Sequence, residues 1–134
     1  MRYLLDADWA IFALGGREPE ASALDRLVTA EGVGISWVTV GEIYEGAFDK
    51  PDTQEELAIY RKFLRPLSVL DFNAPIMELF ARVRAELRQQ GQRIPDIDLL
   101  AGVTAVHYDL TVLTYNVRHF GRIPGISIYQ KQRG

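Results

Sequence analysis

Four acidic residues carry the chemistry that this sequence offers. Asp6 ends a first apolar run and Glu42 follows a second one. Asp96 and Asp98 open a third apolar stretch, which extends over residues 97–106. Carboxylates at the ends of buried elements are costly to keep charged, and a bound cation is the usual remedy. The four acids therefore predict a site for a hard divalent metal ion.

Mg²⁺ and Mn²⁺ are the ions that such a site favours, because they prefer carboxylate, carbonyl and water oxygens. These ions activate water and stabilise the charge that builds on a phosphoryl group. Hydrolysis of a phosphodiester therefore fits the acids better than acyl or hydride transfer. The sequence has no cysteine and only two histidines, which argues against thiolate chemistry and against a zinc site.

The length and composition are typical of one globular domain. The chain has 134 residues, of which 48% are hydrophobic and 25% charged, enough for one core and too few for two. No run approaches the roughly 18 apolar residues of a membrane span. The first six residues include an acid, unlike a signal peptide. We therefore expect one domain over residues 1–134 in a cytoplasmic protein that does not associate with a membrane.

Positive charge is concentrated in the C-terminal part of the sequence. Residues 1–80 contain 14 acidic and 7 basic side chains, whereas residues 81–134 contain 4 acidic and 8 basic ones. Two of those four acids are Asp96 and Asp98, so the remainder of this part is strongly basic. This composition is compatible with a substrate that carries phosphates. A solvated helix face is the alternative interpretation.

Alternating strand and helix patterns supply the framework for the acids. Short apolar runs predict five strands, near residues 3–5, 33–36, 67–70, 110–114 and 126–129, and the third is short enough to be parallel and buried. Apolar residues at helical spacing predict helices near residues 9–14, 19–30, 39–48, 51–65, 75–90 and 97–108, and Asn73 or Asp71 is expected to cap the helix near residues 75–90. This alternation predicts an α/β protein with three α/β/α layers and a central parallel sheet of four to five strands.

The predicted sheet brings the polar residues to one edge. Ligands bind outside the carboxyl ends of parallel strands, near the point where the strand order reverses. Asp6 ends the first strand, and Glu42 is expected in the first turn of the helix after the second strand. Asp96 is expected to cap the helix that leads to the fourth strand, and Asn116 follows that strand. Four separate segments thus deliver oxygen ligands to one place.

Four blocks of sequence also match the pattern of a known family. They are Leu4-Leu5-Asp6 with Asp8-Trp9, Val40 to Ala47, Ile94 to Ala101, and Val112 to Phe120 followed by Arg122 to Ile126. In this order, over nearly the whole chain, they resemble the PIN-domain ribonucleases, most closely the VapC toxins of prokaryotic toxin–antitoxin pairs. The resemblance implies a PIN-like α/β/α domain and an endoribonuclease that depends on Mg²⁺ or Mn²⁺.

The resemblance also implies catalytic roles for individual residues. Asp6, Glu42 and Asp98 fall on the acidic triad of the family, which implies that they bind the metal. Asn116 falls where many members carry a fourth acid and others an asparagine, so it completes the catalytic set. The missing charge at Asn116 weakens the expectation of a second metal ion.

Other residues are expected to support this site. Asp8, Asp96 and Thr114 are candidates for hydrogen bonds to the acids, for capping or for contact with metal-bound water or phosphate. Arg118 and Arg122 are expected to contact RNA phosphates. His107 and His119 are expected to be structural, because water activated by a metal needs no histidine base.

The partners follow from the resemblance as well. It implies a VapB-type antitoxin that neutralises the toxin, an RNA substrate and a homodimer of the toxin. Aromatic residues exposed together on the N-terminal helices would form an apolar groove for an antitoxin helix. The acidic pocket would in turn attract a basic antitoxin side chain.

Three other interpretations remain open from the sequence. The opening Leu-Leu-Asp-Ala-Asp also occurs in haloacid-dehalogenase-type phosphatases, but Lys50, Lys62 and Lys131 do not follow a strand as that class requires. Response-regulator receivers also cluster acids at strand ends, and Asp71 fits their phosphoacceptor, yet nothing serves as the lysine that they carry after the fifth strand. A PIN scaffold that binds RNA or protein without catalysis is the third, because Asn116 is compatible with partial loss of the site.

Overall fold

Five parallel strands form the centre of the protein. The computed structural model describes residues 1–130 of the chain. The strands are β1 Tyr3–Leu5, β2 Val33–Ser36, β3 Ser68–Leu70, β4 Thr111–Leu113 and β5 Ser127–Ile128. The helices are α1 Ala7–Leu14, α2 Glu20–Glu31, α3 Trp37–Phe48, α4 Thr53–Leu64, α5 Ala74–Gln89, α6 Asp96–His107 and α7 Val117–Phe120. The predicted α/β fold with a parallel sheet is confirmed.

The strand order β3-β2-β1-β4-β5 places β1 at the middle of the sheet. The chain runs outward from β1 to β2 and β3, and it returns to the other side of β1 with β4. The order therefore reverses between β1 and β4, where ligands of such sheets bind. Leu5 pairs with Leu113 in the register of these strands, so the next residues, Asp6 and Thr114, leave the sheet side by side.

Two hydrophobic clusters cover the two faces of the sheet. Leu5 and Leu113 point into the cluster that α1 to α4 close. Their neighbours Leu4 and Val112 point into the cluster that α5, α6 and α7 close, since successive strand residues face opposite sides. The sheet is thus buried on both faces, as expected for parallel strands. This packing holds in place the strand ends from which Asp6 and Thr114 extend.

Close packing of α6 against the segment after β4 depends on a glycine. A Cβ at Gly102 would overlap the Ile123 side chain and lie 3.4 Å from Phe120. Gly102, Phe120 and Ile123 are all buried. The absence of a side chain at Gly102 therefore lets α7 dock directly on α6 and fixes the position of the residues around it.

Four local details differ from the prediction. Asp96 was expected to cap α6, but the N-cap is Pro95 and Asp96 is the first helical residue. Since α3 begins at Trp37, Glu42 lies in its second turn and not in the first. The strand β3 was expected to be buried, yet it is at the sheet edge and partly exposed. The helix α7 was not predicted, because four residues are too few for a periodic pattern.

The predicted capping by Asn73 is confirmed, since its Oδ1 accepts a hydrogen bond from the Ile76 amide at 2.9 Å. Within residues 1–130, no helix combines the length and the apolar character needed to cross a membrane. Lys131 and Arg133, which contribute to the basic C-terminal composition, lie outside the described residues.

Candidate active site

Asp6 is a buried carboxylate at the carboxyl end of β1. Its side chain is 5% exposed, and Thr114 Oγ1 donates a hydrogen bond to Asp6 Oδ2 at 2.7 Å. Although Asp6 occupies the N-cap position of α1, its side chain makes no capping hydrogen bond. Burial raises the pKa of Asp6 to about 6, against the opposing effect of the Thr114 bond. The carboxylate therefore faces a site and does not serve to start the helix.

Asp8 fastens the segment after β4 to the start of α1. Its Oδ1 accepts a hydrogen bond from the Trp9 amide at 2.6 Å, and its Oδ2 accepts one from the Tyr115 amide at 2.9 Å. Thr114 Oγ1 lies 3.4 Å from the same Oδ2 and accepts from the Asn116 amide at 3.0 Å. These bonds fix the loop 114–116 beside Asp6.

Glu42 faces the same pocket from α3. The atom Glu42 Oε1 is buried and has no hydrogen-bond partner among residues 1–130. Burial raises the pKa of Glu42 to about 7, and the charges of Asp6 and Asp98 add to this effect. Within the described part of the chain, no lysine or arginine forms an ion pair with Asp6, Asp8 or Glu42. The pocket thus gathers negative charge without a protein cation to balance it.

Asp98 on α6 is held by two residues of the last short helix. The distance from His119 Nδ1 to Asp98 Oδ2 is 2.8 Å, and Asn116 Nδ2 donates to the same oxygen at 3.3 Å. Because a carboxylate only accepts, the Nδ1 that bonds to it carries the proton. The Asp98 side chain is 13% exposed. Asn116 and His119 therefore fix one oxygen of Asp98.

His119 was expected to be structural, and in the structure it lies against Asp98. The available signal was the spacing of Asn116 and His119, since residues three apart lie on one side of a helical turn. The other histidine, His107, is exposed at the end of α6.

Asp96 does not join the other acids. Arg84 Nε donates to Asp96 Oδ1 at 2.8 Å, and the Asp96 side chain is 52% exposed. The hydrogen bond from Arg84 lowers the pKa of Asp96. Asp98, two residues later, points in another direction along the same helix. The structure therefore ties Asp96 to α5.

The two predicted RNA-binding arginines differ in their surroundings. Arg118 is exposed on α7. Arg122 Nη1 donates to the carbonyl oxygens of Gln92 at 3.3 Å and Arg93 at 3.1 Å. The guanidinium of Arg122 thus holds the loop that precedes α6, and Arg118 keeps its charge in solvent.

The side chains of the pocket match a metal site in their chemistry but not in their present arrangement. Among residues 1–130, no three Asp, Glu, His or Cys side chains are arranged to hold an ion as they stand. The donor set nevertheless fits Mg²⁺ or Mn²⁺, since the pocket offers carboxylate oxygens and the buried Glu42 Oε1 lacks a partner.

The raised pKa values predict that the metal-free protein becomes more stable on acidification. Asp6 and Glu42 have folded-state pKa values of about 6 and about 7, above the ordinary 3.8 and 4.5. The folded state therefore holds protons that the unfolded state releases, and its stability falls as the pH rises through these values. We expect a gain of roughly 1–3 kcal/mol between about pH 7.5 and about pH 5.5, measured by thermal melts with a chelator present.

Asp6→Asn should reduce this gain, because the amide does not titrate. The control is Asp96→Asn, which alters an exposed acid that is paired with Arg84 and should leave the gain unchanged. An equal gain in the parent and in Asp6→Asn would assign the effect to other groups.

Comparison with known proteins gives a consistent set of relatives. The model of the PIN domain family matches residues 3–126. The tRNA(fMet)-specific endonuclease VapC of Salmonella typhimurium is 30% identical over 128 residues, which cover 96% of each protein. Ribonuclease VapC2 of Rickettsia felis is 27% identical over 94% of this chain and 95% of its own length.

Solved structures show the same similarity in three dimensions. A chain of VapBC2 from Rickettsia felis, bound to a DNA fragment from their promoter, has a TM-score of 0.88 and 25% identity, and the match covers 98% of this chain and 100% of that chain. A chain of DNA-bound VapBC from Salmonella typhimurium has a TM-score of 0.87 and 28% identity, with 96% and 97% covered. The similarity therefore extends over nearly the whole chain and is not confined to the acidic pocket.

Proposed function

Because this chain belongs to the PIN domain family, we propose that its acidic pocket binds Mg²⁺ or Mn²⁺ and that this site cleaves RNA. The chain is an endoribonuclease toxin of the VapC type, as its relatives and structural neighbours indicate. The observation that carries the metal proposal is the buried Glu42 Oε1, which has no partner among residues 1–130 and faces the charges of Asp6 and Asp98.

Asp6, Glu42 and Asp98 would hold the metal, and Asn116 completes the site. When bound, the ion supplies activation of water and stabilisation of negative charge on the phosphate. Thr114 orients Asp6 by its hydrogen bond to Oδ2. His119 and Asn116 bond to Asp98 Oδ2, which leaves Oδ1 of Asp98 available. As a neutral amide, Asn116 adds no charge, which favours one metal ion over two.

The proposed reaction is hydrolysis of one phosphodiester bond. Water adds to phosphorus, the bond from phosphorus to the 3′ oxygen breaks, and that oxygen takes a proton. The products carry a 3′-hydroxyl and a 5′-phosphate. Asp8 and Asp96 take part only indirectly in this scheme, since Asp8 fixes the loop 114–116 and Asp96 pairs with Arg84. Arg118 is placed to meet the phosphates of the strand, because it is exposed beside Asn116.

The test is the metal dependence of cleavage by the purified chain. We expect cleavage of single-stranded RNA with Mg²⁺ or Mn²⁺, no cleavage with a chelator, and recovery when either ion is added in excess. Mapping of the product ends should show the 3′-hydroxyl and 5′-phosphate. Activity that persists in the chelator would contradict the metal mechanism. RNA binding without cleavage under all metal conditions would favour the scaffold that lacks catalysis.

The haloacid-dehalogenase-type phosphatase and the response-regulator receiver do not fit this chain. Family membership excludes the haloacid-dehalogenase and receiver folds for this chain. Asp71, the phosphoacceptor candidate, accepts a hydrogen bond from Trp37 Nε1 at 2.7 Å on the surface. It follows the edge strand β3 and not the middle of the sheet.

We further propose that a VapB-type antitoxin binds an apolar groove between α1 and α4. This groove has a volume of about 330 Å³ and is lined by Ile11, Leu14, Gly15, Lys50, Glu56, Ile59 and Tyr60. Ile11 and Ile59 are 54% and 52% exposed, although isolated domains seldom expose adjoining apolar side chains. Structural neighbours of this chain are VapBC complexes, which supports a VapB partner.

Ile59→Asp should weaken antitoxin binding by roughly 10- to 100-fold, because it buries a charge in an apolar contact. The control is Ala58→Asp, which adds the same charge on the exposed side of the same helix and outside the groove. Titration calorimetry with a VapB-type antitoxin measures both variants. Equal affinities of Ile59→Asp and the parent for the antitoxin would show that the groove is not part of the interface.

Two further expectations have the status of proposals. The toxin is proposed to form a homodimer, which analytical ultracentrifugation of the purified chain measures. It is also proposed to reside in the cytoplasm, where the RNA substrate is available, and cell fractionation measures this location.

A further inference from the structure

Tyr115 lies in the chain directly between two residues of the active site. Thr114, before it, bonds to Asp6, and Asn116, after it, bonds to Asp98. The Tyr115 residue is 50% exposed. Its ring stacks on Trp9 with the centroids 5.7 Å apart and the planes at 28°. An aromatic ring is thus presented to solvent at the edge of the acidic pocket.

Both ends of Tyr115 are fixed by carboxylates. Its amide donates to Asp8 Oδ2 at 2.9 Å, and its hydroxyl donates to Glu20 Oε1 at 2.9 Å. Glu20 is a buried acid on α2, 5% exposed. A buried acid is costly unless it is hydrogen-bonded, so the bond to Glu20 Oε1 favours one orientation of the Tyr115 ring. The ring is therefore oriented before any ligand arrives.

A cleft opens between this ring and α2. It has a volume of about 140 Å³ and is lined by Trp9, Glu18, Pro19, Ser22, Ala23, Arg26, Tyr115 and Tyr129. Three of the lining residues are aromatic, while Glu18, Ser22 and Arg26 are exposed polar residues. Pockets that bury whole small-molecule ligands measure roughly 300–1,000 Å³. The cleft therefore has room for one planar group and not for a complete cofactor.

We propose that this cleft binds one base of the substrate RNA, next to the phosphate that is cleaved, with the base stacked on Tyr115. Bases of single-stranded RNA are commonly bound by stacking on aromatic side chains. Ser22 Oγ donates to Glu18 Oε1 at 2.7 Å, so these two side chains are bonded to each other, and Arg26 offers its guanidinium to the edge of the base or to its phosphate. No ion pair of Arg26 occurs within residues 1–130, so its charge is available.

The position of Tyr115 between two residues of the active site favours RNA over a protein ligand. Its chain neighbours Thr114 and Asn116 bond to Asp6 and Asp98, so a base stacked on Tyr115 would belong to the strand that reaches the acids. The proposed antitoxin groove has a different lining, centred on Ile11 and Ile59. This inference rests on the proposed ribonuclease function, and RNA binding and RNA cleavage must therefore be measured separately.

The experiment uses a short RNA that the parent cleaves, and two versions of it in which the nucleotide on either side of the cleaved phosphate is abasic. Tyr115→Leu should lower kcat/KM for the intact RNA by roughly 5- to 150-fold, the range for one base stacked on an aromatic ring. One of the abasic RNAs should show a similar loss with the parent. For Tyr115→Leu, kcat/KM on that abasic RNA should be less than about 3-fold below its kcat/KM on the intact RNA, because the stacking partner of the base is already missing.

Tyr115→Phe keeps the ring and loses the hydrogen bond to Glu20, so it should lose less of kcat/KM than Tyr115→Leu. The control is Tyr108→Leu, which removes an exposed tyrosine ring that does not line the cleft and should stay within about 3-fold of the parent, and thermal melts should show that all three variants fold. The proposal would be overturned if the loss of kcat/KM from Tyr115→Leu simply added to the loss from each abasic change. Unchanged cleavage by Tyr115→Leu would also overturn it and would assign the cleft to a protein ligand.

Binding of the same RNAs is measured in the Asp98→Asn background by fluorescence anisotropy. The same pattern of coupled losses should appear in Kd. If the parent binds RNA with this pattern but cleaves none, the proposed ribonuclease function fails and the base-binding cleft stands. If the parent cleaves RNA and the pattern is absent from both kcat/KM and Kd, the cleft proposal fails and the ribonuclease function stands.

Discussion

Asp98→Asn is expected to lower the cleavage rate by roughly 10³-fold while leaving the protein folded. The substitution removes one negative charge from the pocket and keeps the shape of the side chain. An asparagine oxygen still accepts the hydrogen bond that His119 donates at 2.8 Å. The loss should therefore come from weakened metal binding and from weaker stabilisation of the phosphate. Single-turnover cleavage at saturating Mg²⁺ and a thermal melt measure the two properties.

Asp96→Asn is the control for this prediction. It makes the same chemical change two residues earlier in α6, on an acid that pairs with Arg84 at 2.8 Å and is 52% exposed. We expect its cleavage rate to stay within about 3-fold of the parent and its stability to change by less than about 1 kcal/mol. Loss of the folding transition in Asp98→Asn would identify Asp98 as structural. Equal loss of cleavage in both variants would show that Asp96 contributes to cleavage as much as Asp98 does.

Phe120→Ala is expected to lower the free energy of unfolding by about 3–5 kcal/mol. Phe120 is fully buried and packs in the cluster with α6, beside the surface that Gly102 leaves open. Removing the ring leaves a cavity between α6 and α7. Since domains of this size are stable by only about 5–15 kcal/mol, the variant should unfold at a much lower urea concentration. Urea denaturation followed by circular dichroism measures the change.

Val117→Ala is the control for this effect. Val117 is 56% exposed on the same short helix, and its truncation should cost less than about 0.5 kcal/mol. Because Asn116 and His119 precede Phe120 at the N-cap and within the same short helix, the folded fraction of Phe120→Ala should also lose much of its cleavage. A loss of less than about 1 kcal/mol for Phe120→Ala would mean that α7 is not anchored by its buried ring.

Periodicity in the sequence predicted most of the fold. Six of the seven helices and all five strands carry either the helical or the extended apolar pattern, and their bounds agree with the structure within a few residues. The exception is α7, whose four residues make a single turn. One turn is stabilised by what it packs against, here the surface of α6, and no periodic signal in its own residues reports that contact.

The site was less fully predictable, and Asp96 shows why. Its type and position after Pro95 favoured a helix cap. The hydrogen-bond partner of a side chain, however, depends on which groups the tertiary structure brings near it. That partner is Arg84, twelve residues away on another helix. The contact between His119 and Asp98 spans 21 residues and depends on how α7 docks. Such pairings follow from packing, and the local pattern around each residue does not encode them.

The bond between Thr114 and Asp6 joins residues 108 positions apart, and β4, which carries Thr114 to the site, lies near the end of the chain. A ribosome therefore completes Asp6 and Glu42 long before it adds the partners that orient them. While the chain is being translated, the growing polypeptide has acids but no assembled nuclease. Because β1 lies between β2 and β4, the first acid of the site is oriented only after the strand that precedes Thr114 has joined the sheet.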